Sequence, residues 1–271
     1  MYALVTGAST GIGQACVARL AAQGFHVFAT VRRTQDADAL LGSSVTALIA
    51  DVTDTAALAA ARDAVAAQLA GAPLTALILN AGIALPGPLL HQPLEEIRQT
   101  LEVNVLGAIA SVQAFVPLMR EGGRIVAISS VSGKFAAPFV GAYAASKFAL
   151  EAACDSLRRE LMLLGIDVIV IEPGPIATPI WRKSFAAASD YSGTPYAQVA
   201  AQMGDHIAES EKTALPPERV AQAVMTALTA RNPRTRYVVI RKPLMNWWLP
   251  RLLPERWVDR LIAKKLGLQR K

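Results

Sequence analysis

A chain of 271 residues with 53% hydrophobic and 18% charged content can bury one large core, which argues against a disordered or fibrous protein. Two cysteines are too few for a disulfide framework, and three scattered histidines, His26, His91 and His206, show no metal-ligand spacing, so no bound metal is expected. The net charge of +6 is uneven: residues 231–271 carry twelve Lys or Arg against two acids, while the first 230 residues carry fifteen against nineteen.

In chain order, a short apolar strand is predicted over residues 3–6, followed by glycines at 7, 11 and 13. Ile12, Cys16, Val17 and Leu20 then recur at helical spacing, and Gly24 stands where a helix would end. A strand, a tight glycine turn and a helix start turn backbone N–H groups and the positive helix end toward a pyrophosphate. The second strand, 26–31, ends without an acidic residue and runs into Arg32 and Arg33. An acid there suits a ribose 2′-hydroxyl, whereas arginine suits a 2′-phosphate, so NADP(H) is expected over NAD(H). The third strand, 45–50, leads to Asp51-Val52, where Asp51 is one candidate for the cap of the next helix.

The fourth strand, 74–79, precedes Asn80-Ala81-Gly82, and Asn104 follows inside a predicted helix as Glu-Val-Asn-Val. The fifth strand, 124–129, ends at Ser130, thirteen residues before Tyr143; Tyr143 and Lys147 are one helical turn apart. A phenol of pKa about 10 is a poor acid or base near neutrality, and a neighbouring ammonium favours its ionised form. The sixth strand, 167–171, leads into Pro173-Gly174-Pro175-Ile176-Ala177-Thr178, where the prolines are expected to stop regular pairing. Residues 179–214, with Trp181, Phe185 and Tyr191, read either as a lid over the site or as a surface loop. A seventh strand, 236–240, precedes a basic, aromatic tail over 244–271.

This alternation predicts an α/β fold with a parallel sheet of about seven strands and helices on both faces, one domain over 1–243 plus the tail. With the first strand at residue 3 and no uninterrupted apolar run of about 18 residues, a cytoplasmic protein is expected. Cys16 and Cys154 are expected as buried thiols.

The motifs Thr6 to Gly13 (TGASTGIG), Asn80-Ala81-Gly82, Asn104, Ser130, Tyr143 with Lys147, and Pro173-Gly174, in that order, resemble the short-chain dehydrogenase/reductase family over residues 1 to about 240. The resemblance implies a Rossmann-type doubly wound sheet and an oxidoreductase. It implies that Tyr143 exchanges a proton with a carbonyl oxygen, Ser130 bonds that oxygen, Lys147 lowers the phenol pKa and bonds the nicotinamide ribose, and Asn104 holds a water leading from Lys147. It further implies cofactor contacts from Gly7, Ser9, Thr10, Gly11, Ile12, Gly13, Asp51, Val52, Asn80, Ala81, Gly82, Pro173, Gly174, Ile176 and Thr178. A homodimer or homotetramer built on the helices containing Asn104 and Cys154 is also implied.

The residues expected to face the substrate, Leu85, Pro86, Phe135, Pro138, Phe139, Val140 and Trp181, are nearly all apolar, which favours a bulky lipophilic ketone or alcohol. The stretch from Ala145 to Gly174 resembles the steroid and retinol dehydrogenase branch. Reduction of an acyl-thioester ketone and a non-catalytic dinucleotide sensor or scaffold are the alternatives. The tail, with Trp247 and Trp248 and with Trp257, Val258, Leu261, Ile262 and Leu266 on one helical face, either folds over the pocket, packs on another subunit or meets an anionic membrane. Nothing in it has the pattern of a nucleic-acid reader.

Overall fold

The computed structural model describes residues 1–40, 42–186 and 189–268, without the side chains at 185–186, 203–208, 210–211 and 250. Phe185, His206 and part of the 179–214 segment therefore lie outside the described residues. Seven strands make one parallel sheet: β1 (Tyr2–Val5), β2 (His26–Val31), β3 (Val45–Ile49), β4 (Leu74–Leu79), β5 (Met119–Ile128), β6 (Asp167–Pro173) and β7 (Arg236–Val239). Their order is β3-β2-β1-β4-β5-β6-β7.

Strand side chains alternate between two separate cores, because successive Cβ atoms point to opposite faces. Ala3, Val5, Val27, Ala29, Ile78 and Val126 enter one core, together with Cys16, Val17 and Leu20 of α1 (Gly11–Ala22) and Val220 and Val224 of a late helix. Leu4, Phe28, Leu77 and Ile125 enter the other, closed by α3 (Thr55–Leu69), α5 (Gly107–Phe115) and α6 (Gly141–Glu160) through Leu58, Val112, Phe115 and Leu150. Burial on both faces is why the central strands read as continuous apolar runs. The remaining helices are α2 (Thr34–Asp38), α4 (Leu94–Leu101), α7 (Ile180–Ala186), α8 (Ala197–Lys212), α9 (Pro217–Thr229, the late helix of the first core), α10 (Leu249–Leu252) and α11 (Glu255–Leu266).

Two strands differ from expectation. β5 begins at Met119, five residues early, since Met119 pairs with Leu74 before a register shift, and the polar stretch between hides this pairing from a hydrophobicity reading. β6 runs on through Pro173, which pairs with Val239. Its pairing with β5 ends at Ile171, so the N–H that proline lacks is not needed on that side. The continuous helical stretch Leu94–Leu118 has the length and mean hydropathy of a membrane crossing, although Glu95, Glu96, Arg98 and Glu102 interrupt its apolar residues. It packs instead within the molecule, α5 against α3 and α4 against α6. Cys16 and Cys154 are free and buried, and burial pushes both thiols up to about 12, which leaves them inert near neutrality.

The chain crosses from β3 at one edge back to β4 beside β1, so the strand order reverses at β1. Loops leaving the carboxyl ends of β1 and β4 diverge there and open a crevice, the usual ligand position in an open α/β sheet.

Candidate active site

That crevice is a cleft of about 690 Å³, within the range of small-molecule and cofactor sites. The glycine turn forms one end. Gly7 has φ +64°, and a Cβ there would sit 2.7 Å from the Ala81 Cα, so only glycine allows the loop to lie against the segment after β4. Thr6 Oγ1 accepts from the N–H groups of Asn80 (3.0 Å) and Ala81 (3.1 Å), while Asn80 Nδ2 donates to the carbonyls of Thr6 (3.0 Å) and Gly7 (2.8 Å). These bonds tie β1 to β4 and shape the cradle. Gly7, Ser9, Thr10, Gly11 and Ile12 face the cleft, with Gly11 opening α1. Gly13 does not; a Cβ on it would come within 2.4 Å of the Gly7 carbonyl oxygen, so its role is close packing of α1.

The paired arginines separate. Arg32 lines the cleft, whereas Arg33 turns to Asp36 in a two-pronged bond at 3.0 and 3.1 Å and lies outside the lining. The sequence hid this because Asp36 is local to α2 and competes for the nearer guanidinium. Lys183 of α7, unremarked in the sequence, also lines the cleft, and its charge acts on Asp36 together with that of Arg32. Asp51 and Val52 line the cleft as well, but the carboxylate of Asp51 accepts from Thr53 N (2.9 Å) and Oγ1 (2.8 Å). The N-cap of α3 is Asp54, which settles the capping alternative against Asp51.

At the other end, Ser130, Tyr143 and Lys147 meet. Ser130 ends the loop from β5 and its Oγ accepts from Ser132 N at 3.0 Å, capping a 3₁₀ turn. α6 carries Tyr143 and Lys147 on its buried face, with the Lys147 Nζ 5.7 Å from the phenol ring centre and donating to the Ile128 carbonyl at 2.9 Å. Burial raises the Tyr143 pKa above its ordinary value, opposed by a hydrogen bond with Ser130. The expected depression of that phenol by Lys147 is not found: burial raises it, and the opposing influence comes from Ser130. Burial also lowers Lys147, to about 8, with Cys154 and Glu151 acting the other way.

Asn104 lies in a π-helical turn, Glu102–Leu106, between α4 and α5. Such a turn inserts one extra residue and redirects its side chain. Here Asn104 Oδ1 accepts from Ile83 N (2.8 Å), and Nδ2 donates to Ile83 O and Ser146 Oγ, both 2.9 Å. Ser146 in turn donates to the Tyr143 carbonyl at 2.7 Å. Asn104 is not in the cleft lining; its side chain fixes the Ile83 segment to the turn of α6 that carries Tyr143.

One turn beyond Lys147, buried Glu151 accepts from Arg236 at 2.9 Å and pairs with Lys134 at 3.1 Å. Arg236 also stands 3.4 Å from Glu172, the residue before Pro173, and 2.8 Å from Asp155. Burial, then the charge of Glu151, raises Glu172 to about 7, while Lys134, Arg236 and Arg251 oppose. A carboxyl protonated in the folded chain but ionised in the unfolded one adds stability below pH 4.5 that is lost as pH rises through about 7. Glu172→Gln therefore flattens the fall in thermal midpoint between pH 5 and pH 8, by up to about 3 kcal/mol of stability at the alkaline end; melts at both pH values check this.

Of the residues expected at the substrate, Leu85, Val140 and Trp181 line the cleft, and Trp181 stacks edge-on to Tyr143 at 5.5 Å. Phe135, Phe139, Pro86 and Pro138 do not. Phe139 adopts φ +65°, and its buried ring packs edge-on to Tyr196. Phe135 closes the turn after Ser130, its N–H donating to the Val131 carbonyl. Pro173, Gly174, Ile176 and Thr178 all face the cleft, as do Ile180 and Ser184 of α7 and Glu96, Gln99 and Val103 near α4, which carried no motif. No described residue beyond Ala214 lines it, so the described part of the tail does not border the pocket.

Residues 1–189 match the short chain dehydrogenase family model. An NADPH-dependent 3-dehydrocapnine reductase of Ornithobacterium rhinotracheale is 38% identical over 274 residues, covering 98% of this chain and 97% of that protein. Human 17-beta-hydroxysteroid dehydrogenase type 1 is 35% identical over 263 residues, covering 90% and 79%. Among solved structures, a short-chain dehydrogenase from Streptomyces avermitilis is 28% identical with a TM-score of 0.79, covering 98% and 96%. Match, fold and crevice agree, and the chain belongs to the short-chain dehydrogenase/reductase family of oxidoreductases.

Proposed function

We propose that the protein is an NADPH-dependent reductase of bulky lipophilic ketones, working through Tyr143, Ser130 and Lys147. The observation that carries this reading is a buried phenol that lines, with Ser130 and Lys147, the same cleft that the glycine turn opens onto. The cradle fits a dinucleotide: Gly7 and Gly11 have positive φ, and Gly11 and Ile12 at the start of α1 line the cleft. Gly7 to Ile12 would hold the pyrophosphate, Asp51 and Val52 the adenine, Asn80 to Gly82 the central cofactor, and Pro173, Gly174, Ile176 and Thr178 the nicotinamide end.

When bound, NADPH supplies the hydride. Tyr143 donates its proton to the carbonyl oxygen, Ser130 donates a hydrogen bond to the same oxygen, and Lys147 adds positive charge beside the phenol and a donor for ribose hydroxyls. Asn104 is a positioning residue, holding α6 and the water path toward Lys147. α7 and the segment behind it act as the lid, and Leu85 and Trp181 set a lipophilic wall. The hydroxysteroid relative and the reductase relative support this class, and the latter's name supports NADPH. Exposed Leu106 and Phe148, on the helices bearing Asn104 and Cys154, support pairing of two copies there.

Arg32 takes the 2′-phosphate. A hydrogen bond to a charged group contributes about 1.5–3 kcal/mol, so Arg32→Ala raises KM for NADPH by roughly 10- to 100-fold and leaves KM for NADH within about twofold. Steady-state kinetics with both cofactors test this; equal losses for both would remove the 2′-phosphate assignment.

A further inference from the structure

The chain beyond β7 presents a surface unlike the rest of the molecule. It leaves the carboxyl edge of the sheet at Arg241, whose Nη1 donates to the Thr213 carbonyl at 3.2 Å, next to Ala214 of the cleft wall. A π-helical turn, Leu244–Trp248, follows; buried Trp247 borders a cavity that Trp248, Lys134, Glu172 and Arg236 also line, with the Arg251 guanidinium 4.7 Å above its ring. The neighbours do not follow Trp247 inward: Leu244 is 75% exposed, Trp248 54% and Leu252 79%. In α11 the expected single apolar face splits. Val258, Ile262 and Leu266 are half-buried, whereas Trp257 and Leu261, one turn apart, are 60% and 61% exposed.

Basic residues interleave with these apolar ones. Arg241, Lys242, Arg251, Arg256, Arg260, Lys264 and Lys265 are all exposed, against the acids Glu255 and Asp259. Large exposed apolar side chains rimmed by polar ones mark a membrane or protein partner. The charge decides between them. Seven cations stand against two acids on this surface, and tryptophan with long basic side chains around it suits the boundary between headgroups and acyl chains, where anionic lipids attract the cations.

We infer that the surface formed by residues 241–268 docks on an anionic phospholipid bilayer, with Trp248, Trp257 and Leu261 entering the acyl boundary and the interleaved cations among the headgroups. The docking stands apart from the proposed reaction. If that reaction is also correct, docking sets the cleft wall beside the phase in which a lipophilic ketone dissolves.

Flotation of the full-length protein with vesicles of equimolar phosphatidylglycerol and phosphatidylcholine, and with phosphatidylcholine alone, tests this. The wild-type protein floats with the anionic vesicles, binds the zwitterionic ones about tenfold or more weakly, and releases as salt is raised. Trp257→Asp/Leu261→Asp, at exposed positions, lowers anionic binding about tenfold or more while its circular-dichroism melt and its NADPH oxidation with a water-soluble ketone stay as in wild type. Wild type that fails to float, or a double variant that floats equally well, overturns the inference. So does a double variant that turns a dimer into a monomer on size-exclusion chromatography while wild type ignores the vesicles, since that places a second copy on this surface.

Discussion

Replacing Tyr143 with phenylalanine lowers kcat for ketone reduction by about 10²- to 10⁴-fold, the contribution of a positioned acid, while NADPH affinity and the thermal midpoint stay near wild type. The change deletes one oxygen. The ring remains packed edge-on to Trp181, and Lys147 keeps its bond to the Ile128 carbonyl. Because burial raises the phenol pKa, Tyr143 is protonated at neutral pH and ready to donate, which favours reduction. Lys147, lowered to about 8 by burial, loses its charge as pH rises through that value, so wild-type reduction declines above pH 8. Following NADPH absorbance across pH with wild type and the variant checks both parts. Equal activity in the two proteins would exclude Tyr143 as the proton donor and with it the proposed mechanism.

Arg236→Met destabilises the fold by about 3–5 kcal/mol, because removing one member of a buried ionic cluster leaves charge without compensation. Arg236 serves Glu151, Asp155 and Glu172, and of these Glu151 and Glu172 are almost fully buried. Lys134 remains paired with Glu151, and Glu172 and Asp155 lose their Arg236 contacts. A loss of that size lowers the thermal midpoint by roughly 10 °C in a domain of this length, and part of it returns at pH 5, where the carboxyls take up protons. Arg236→Lys keeps the charge but loses the fork and falls between the two. Urea unfolding at pH 5 and pH 8 measures this. A loss under about 1 kcal/mol at both values, the level of a solvated surface pair, would show that the cluster does not bear on stability.

Much of this architecture was legible before any coordinates. Alternating strand residues such as Ala3, Leu4 and Val5 specify a sheet buried on both faces, since each side chain's direction follows from its position along the strand. The spacing of Gly7, Gly11 and Gly13 and the one-turn offset of Tyr143 and Lys147 are local geometry, so sequence alone set them on one turn and one helix. Less was legible where partners are remote. That Arg32 faces the cleft, that Phe139 packs on Tyr196, and that Asn104 reaches Ile83 and Ser146 depends on which side chain meets which.

The cluster of Glu151, Glu172 and Arg236 joins three elements up to 85 residues apart, and the sequence carries no sign that Trp247 is buried while Trp248 beside it is 54% exposed. The sequence by itself determined the sheet, its order of elements and the two motifs that bracket the cleft, because local periodicity fixes backbone conformation and the face each residue takes. Tertiary structure alone decided the ionic cluster, the partners of each polar side chain and the exposure of the tail, because one side chain meeting another far along the chain leaves no periodic trace.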